Sequence, residues 1–249
     1  IFLSFANVKD NNYNDAFKTL CDIFSELYKD FENIINISVL LSERDKSDFK
    51  KIVALLDEAQ DRLIFKTALK KLSMFLSKHY EKKVIILLDE YDTPLQEAYI
   101  NGYWEEMSGF IRSLFNNTFK TNEYLGRAIL TGITRVSKES MFSDLNNLDV
   151  CTMSSEKYQE YFGFTEEEVF ESMDEYGYTN KEEVKHWYDG FTIGSKADMY
   201  NPWSIINFLD KGKLAPYWSN SSSNGLAGKL LREGDHRQKQ DFEKLLKGG

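Results

Sequence analysis

Cysteine is scarce in this 249-residue chain: it has two, Cys21 and Cys151, far apart in sequence. That spacing suggests neither a metal-binding motif nor a disulfide framework, and a reducing, cytoplasmic compartment is the expectation. Long apolar runs are also missing. The longest are far too short to span a bilayer and no signal peptide is visible, so no membrane partner is expected. Positive charge is in deficit, with 31 Lys and Arg against 40 Asp and Glu and a net charge of −9. This balance disfavours nonspecific attraction of the surface as a whole to nucleic acid or anionic lipid, while leaving room for a local basic groove. There is no internal repeat. The first residue is Ile, not Met, and Ile1-Phe-Leu-Ser-Phe5 already looks like a core strand. The chain therefore reads as a piece of something longer.

What is present suits a soluble globular protein: hydrophobic residues make up 42% and charged residues 29%, enough for one large domain or two small ones. Strand-like and helix-like segments alternate. After the strand Ile1 to Phe5, apolar residues at helical spacing (Phe17, Leu20, Cys21, Phe24, Leu27, Tyr28, Phe31) predict a helix over 14–31. A polar connection is expected around Leu41–Asp45, then two amphipathic stretches between Phe49 and Tyr80. Val84 to Leu88 is a continuous apolar run, as in a strand buried on both faces. Trp104 to Phe119 reads as helix, Ala128 to Leu130 as a second buried strand, and Asp149 to Met153 as a weaker third. This alternation predicts an α/β domain over 1–155.

The style then changes. Thr165-Glu-Glu-Glu168 has the form of a capping box, opening a helix to about Tyr176. Further helices are expected over Lys181–Tyr188 and from Pro202 through Phe208, with aromatics crowded between and around them. Residues 156–249 are thus expected to form a small, mostly helical second unit.

The candidate chemistry lies in Val84-Ile-Ile-Leu-Leu-Asp-Glu-Tyr-Asp-Thr-Pro94, where five apolar residues end in three acids. Ligands of parallel α/β sheets bind beyond the carboxyl ends of the strands, which is where Asp89, Glu90 and Asp92 would sit. The stretch has the form of a Walker B element. Asp89 could hold the water shell of Mg²⁺, with Asp92 a weaker candidate, and Glu90 could orient the water that attacks a γ-phosphate. The plainer alternative is a strand followed by an acid-capped turn before a helix opened by Thr93-Pro94. A second buried strand, Ala128-Ile-Leu-Thr-Gly-Ile-Thr-Arg135, ends in Thr131, Thr134 and Arg135. The two threonines stand where a phosphate sensor would, and Arg135 could stabilise charge on transferring phosphoryl oxygens. Taken alone, Arg135 reads more simply as a solvated arginine in a turn.

Together VIILLDEYDTPL, RAILTGITRVSKESMFSDLNNL, YFGFTEEEV, WYDGF, YNPWSI and YWSNSSSN resemble the bacterial AAA-ATPase-like family. That family belongs to the P-loop ATPases, and its members often carry a PD-(D/E)XK nuclease-like domain at the C-terminus. The resemblance covers nearly the whole chain and implies a three-layer P-loop NTPase-like fold, with helices on both faces of a parallel sheet and a helical lid after it. It implies ATP and Mg²⁺ as cofactors, Asp89 and Glu90 as the Walker B pair, and Thr131, Thr134 and Arg135 in the sensor region. WYDGF and YNPWSI would be packing motifs of the lid. Nucleic acid would be a partner only by analogy with the nuclease-like domain.

One departure is serious. No G-x-x-x-x-G-K-[ST] occurs: Gly190-Phe-Thr-Ile-Gly-Ser-Lys196 has the wrong order, and Gly225-Leu-Ala-Gly-Lys229 is too short and is followed by Leu230. By resemblance the loop and its strand precede Ile1, so the expectation is a truncated ATPase core. Its first three strands should pair side by side and parallel. Asp149–Met153 should stand across a gap from them or fold onto the edge of Ala128–Leu130, leaving an edge through which the chain self-associates. Three other readings stay open. Asp89-Glu90-Tyr91-Asp92 spells a helicase-type DExD box, clustered acids also serve metal-dependent nucleases, and the fold could be a noncatalytic interaction module.

Overall fold

A computed structural model of the chain describes residues 1–57, 62–133, 145 and 148–218. The chain divides into two compact units, Ile1–Leu148 and Asp149–Gly249, and each has its own hydrophobic core.

The first unit is mixed α/β. Three parallel strands, β1 (Phe2–Ser4), β2 (Val84–Asp89) and β3 (Leu125–Leu130), lie in the order β1-β2-β3. The expected side-by-side parallel pairing is therefore present. The register sets Phe2 against Leu87 and Ser4 against Asp89, and Leu87 against Ile129 and Leu88 against Leu130. Helix α1 (Tyr13–Ile37) starts where the Asn12 side chain accepts from the Asp15 amide, and it buries Phe17, Leu20, Phe24, Leu27 and Tyr28. Helices α2 (Glu43–Asp57) and α3 (Arg62–Tyr80) follow, then α4 (Thr93–Asn101) and α5 (Trp104–Phe115), which continues into a π-helical turn at Asn116–Lys120. α2 begins inside the segment expected to be a polar connection. The Ser42 hydroxyl accepts from the Asp45 amide while Asp45 accepts from the Ser42 amide, a reciprocal cap that nucleates the helix there.

Two expectations about this sheet are corrected. Among the described residues of the first unit, the sheet is covered on one face. Leu3, Ile86 and Leu88 are buried in the core, whereas Phe2, Ile85, Leu87 and Ile129 are 64%, 55%, 40% and 52% exposed. Residues of alternating parity point to opposite faces, so β2 is half-buried despite its unbroken apolar sequence. Nor do helices cover both faces among the described residues. The second correction concerns Asp149–Met153, which forms no strand. Lys157 pairs with Asp149, and the Ser155 hydroxyl takes the Thr152 amide, so the segment closes on itself in local turns.

Among the described residues the second unit has its three expected helices and, in addition, a small sheet that the sequence reading did not anticipate. Beside α6 (Glu166–Tyr176), α7 (Lys181–Tyr188) and α8 (Pro202–Lys211) it has an antiparallel sheet of β4 (Phe164–Thr165), β6 (Lys196–Tyr200) and β5 (Phe191–Ile193), in that order. The hairpin turns on Gly194-Ser195, with Gly194 at φ 60°, and Gly at such a turn is a hairpin signal. The helix starts follow the sequence expectation. Thr165 and Glu168 form the full capping box, and Asn201 caps α8 with Pro202 in its first turn.

Candidate functional site

The acids sit where the half-buried strand β2 runs out. β2 alternates covered and bare side chains as Ile85, Leu87 and Asp89 continue the bare face, so the apolar face ends in a carboxylate. The neighbouring strands do the same: Ser4 lies opposite Asp89, and Thr131 follows Ile129 by two residues. The three polar side chains therefore meet at one edge. The Thr131 hydroxyl donates to Asp89 Oδ1 at 2.6 Å, and the Ser4 hydroxyl reaches Asp89 Oδ2 at 3.5 Å. Main-chain bonds fix the frame, with the Phe5 amide donating to the Asp89 carbonyl at 2.9 Å and the Thr131 amide to the Leu88 carbonyl at 2.9 Å.

Glu90 begins the turn that follows. It is half-buried and its backbone is left-handed, with φ 51°, a conformation unfavourable for a residue with a Cβ. The Thr93 amide donates to its carbonyl at 3.2 Å, and the Thr93 hydroxyl to its Oε2 at 2.9 Å. The Tyr91 amide crosses to the Thr131 carbonyl at 3.0 Å, tying this turn to the end of β3. Asp92 is fully buried. Its Oδ2 accepts from Gln96 Nε2 at 2.7 Å, and a Cβ added at Gly132 would fall 2.3 Å from its Oδ1. Gly132 is thus needed for close approach, and the Asp92 carboxylate is packed within the turn.

Of the candidates, the structure brings Asp89, Glu90, Asp92 and Thr131 together at one sheet edge. Thr134 and Arg135 lie outside the described residues. The sequence reading missed Ser4, took Thr93 only as a helix start, and named Gly132 at the end of the second strand without giving it a role. Ser4 could be found only from the strand register. Thr93, three residues after Glu90, had a legible i,i+3 spacing.

Asp89, Ser4 and Thr131 offer hard oxygen donors, which suit Mg²⁺. Among the described residues no group of three or more His, Cys, Asp or Glu could hold a metal ion unaided. One carboxylate with two hydroxyls would need water or ligand oxygens to complete a Mg²⁺ shell. Among the described residues no helix is long and apolar enough to cross a membrane.

The family model described as Predicted AAA-ATPase, of the AAA-ATPase-like family, matches residues 1–142. An uncharacterized protein of the vnfD 5′ region of Azotobacter chroococcum mcd 1 is 29% identical over 154 residues, covering 61% of this chain. The chain spans 30% of that relative's own length. No solved structure matches the chain. The family match covers more than half of the sequence and takes in the whole Asp89–Thr131 edge, so the chain belongs to the AAA-ATPase-like family.

Proposed function

We propose that this chain carries the acidic, water-orienting edge of a Mg²⁺-dependent ATPase of the P-loop class. One observation carries the reading: Asp89 and Thr131, at the carboxyl ends of neighbouring parallel strands, are joined at 2.6 Å. That edge is where ligands of parallel α/β sheets bind. Bound Mg²⁺-ATP supplies the phosphoanhydride and the metal charge. Asp89 would hold the metal through its water shell, with Thr131 and Ser4 fixing the orientation of its two oxygens. Glu90 would orient the attacking water and accept its proton. Thr134 and Arg135, outside the described residues, keep only the sensor roles that the family resemblance implies. Asp92, packed against Gly132 and Gln96, would shape the turn that aims Glu90 rather than ligate metal. The net charge of −9 gives nucleic acid no support as a direct ligand.

The test uses a longer protein that contains this chain. Glu90→Gln should lower ATP turnover by roughly a hundredfold or more while leaving nucleotide binding in place. Asp89→Asn should weaken the Mg²⁺-dependent part of binding as well. Unchanged turnover in both variants would overturn the reading. The 249-residue chain itself lacks G-x-x-x-x-G-K-[ST], whose amides supply most phosphate contacts. Calorimetry on this chain alone should therefore detect only weak ATP binding, and tight Mg²⁺-dependent binding would contradict this account of the site.

A further inference from the structure

We propose that Thr93 is a positioning residue for Glu90, holding one oxygen of its carboxylate so that the other is presented to the attacking water. The inference rests on the ATPase reading of Glu90. A glutamate has three side-chain torsions, and a group that must orient water gains from having them fixed. Here the backbone end is fixed first. Glu90 is held at φ 51° by the Thr93 amide on its own carbonyl and by the Tyr91 amide on the Thr131 carbonyl. Asp92, two residues on, is fully buried beside Gly132 in the same turn. These contacts set the direction in which the Glu90 side chain leaves the backbone.

The far end is fixed by Thr93. Its hydroxyl donates to Glu90 Oε2 at 2.9 Å, and the donor is itself rigid. Thr93 is 7% exposed, opens α4 and precedes Pro94, also buried. A β-branched side chain there has few rotamers, and the proline ring restricts the backbone before it. The hydroxyl is thus held in place before any ligand arrives. It engages Oε2, and Oε1, which takes no hydrogen bond among the described residues, is the oxygen to take the water's proton. The pair has the form of a base oriented by a third group.

Thr93→Val keeps the shape and removes the donor, whereas Thr93→Ser keeps the donor. In the 249-residue chain labelled with ¹³C-carboxyl glutamate, the Glu90 signal is assigned by its disappearance in Glu90→Gln. That signal should move in Thr93→Val and stay near its original position in Thr93→Ser. In a longer protein containing the chain, Thr93→Val should lower kcat for ATP by roughly ten- to a hundredfold with KM unchanged, and Thr93→Ser should restore most of it. An unmoved Glu90 signal in Thr93→Val overturns the proposal. So does an equal loss of kcat in the Val and Ser variants, which would mark a packing role. If Glu90→Gln and Asp89→Asn leave turnover unchanged, the ATPase reading fails, and the carboxyl signal still decides whether Thr93 holds Glu90.

Discussion

The two units solve the problem of burial differently. In the first, a continuous aromatic core does most of the work: Phe65 lies between Phe24, Phe17 and Phe110, with ring centroids 4.3, 5.3 and 5.2 Å away. In the second, the core among the described residues is smaller, and tyrosine hydroxyl bonds, which the first unit also has at Tyr28 and Tyr103, tie a larger share of it. Tyr188 both donates to the Ala215 carbonyl at 2.9 Å and accepts from the Ala215 amide at 3.0 Å. Tyr200 donates to Glu166 at 3.1 Å, and Tyr178 to the Leu209 carbonyl at 3.2 Å. A small unit buries a smaller fraction of its surface, and specific polar bonds fix what apolar area leaves loose. The comparison teaches where to look for chemistry. The conspicuous WYDGF and YNPWSI motifs supply the core tyrosines and the α8 cap, whereas the proposed catalytic groups stand where an apolar strand simply stops.

The sharpest way to break this contrast is Phe65→Ala. Removing the ring that joins three others should cost the first unit about 3–5 kcal/mol. Native-state hydrogen exchange should show the loss at amides of α1, α3 and α5, with β5 and β6 unaffected. A uniform loss across both units would mean that their cores are not separate.

The two faces of the first sheet offer a second, internal comparison. Leu88 is 2% exposed and its neighbour Leu87 is 40% exposed. Leu88→Ala should cost about 2–5 kcal/mol, whereas Leu87→Ala should fall within roughly 0.5 kcal/mol of the parent chain. Denaturant unfolding of the two variants decides it, and equal losses would mean that the face carrying Phe2, Ile85, Leu87 and Ile129 is covered.

Tyr188→Phe asks the corresponding question of the second unit. It removes one hydroxyl and takes the acceptor from the Ala215 amide, while the Ala215 carbonyl keeps the Tyr217 amide at 2.8 Å, so a loss of about 1–2 kcal/mol is expected. Thermal unfolding followed by tryptophan fluorescence would report it. A neutral outcome would show that the second core rests on apolar contact alone.

Much of this architecture was legible in the sequence, for identifiable reasons. The capping box at Thr165 and the proline start of α8 are local signals, and they mark helix starts wherever the chain is. The acids at the end of β2 were legible because an apolar run must stop where it leaves the core. The bare face was not legible. An unbroken run such as Val84 to Leu88 looks the same whether helices cover one side or two, and only the surrounding fold decides. The Asp149–Met153 strand did not form: Lys157 pairs with Asp149, the Ser155 hydroxyl takes the Thr152 amide and the Gly194 amide donates to the Met153 carbonyl, so these polar groups find partners outside a ladder. Ser4 as a partner of Asp89 depends on strand register across 85 positions, for which no local signal exists.

The smallest expected effect distinguishes the units by the sign of their response to acid. In the first unit, burial alone would raise the pKa of Asp45. Lys78 Nζ at 2.7 Å and the Ser42 hydroxyl at 2.8 Å outweigh it and hold the carboxyl below its ordinary value. A lowered folded-state pKa contributes stability above the unfolded value, near pH 4, which is lost as pH falls through the folded value. In the second unit, Asp189 is raised, first by burial and then by the charge of Asp198, with the Gly190 amide and Lys185 only partly offsetting them. The Asp189 and Asp198 side chains lie within hydrogen-bonding reach, so the two carboxylates repel until one holds a proton. A raised folded-state pKa contributes stability that is full below the unfolded value and lost as pH rises through the folded value. Replacing each residue with Asn should therefore act in opposite directions at pH 7. Asp45→Asn should lower the Tm, with the deficit shrinking below about pH 4. Asp189→Asn should raise the Tm, with the gain shrinking as acid protonates the parent's Asp189. Thermal scans of both variants at several pH values make the comparison, and shifts of the same sign at pH 7 would show that the two carboxyls do not differ in the way their surroundings require.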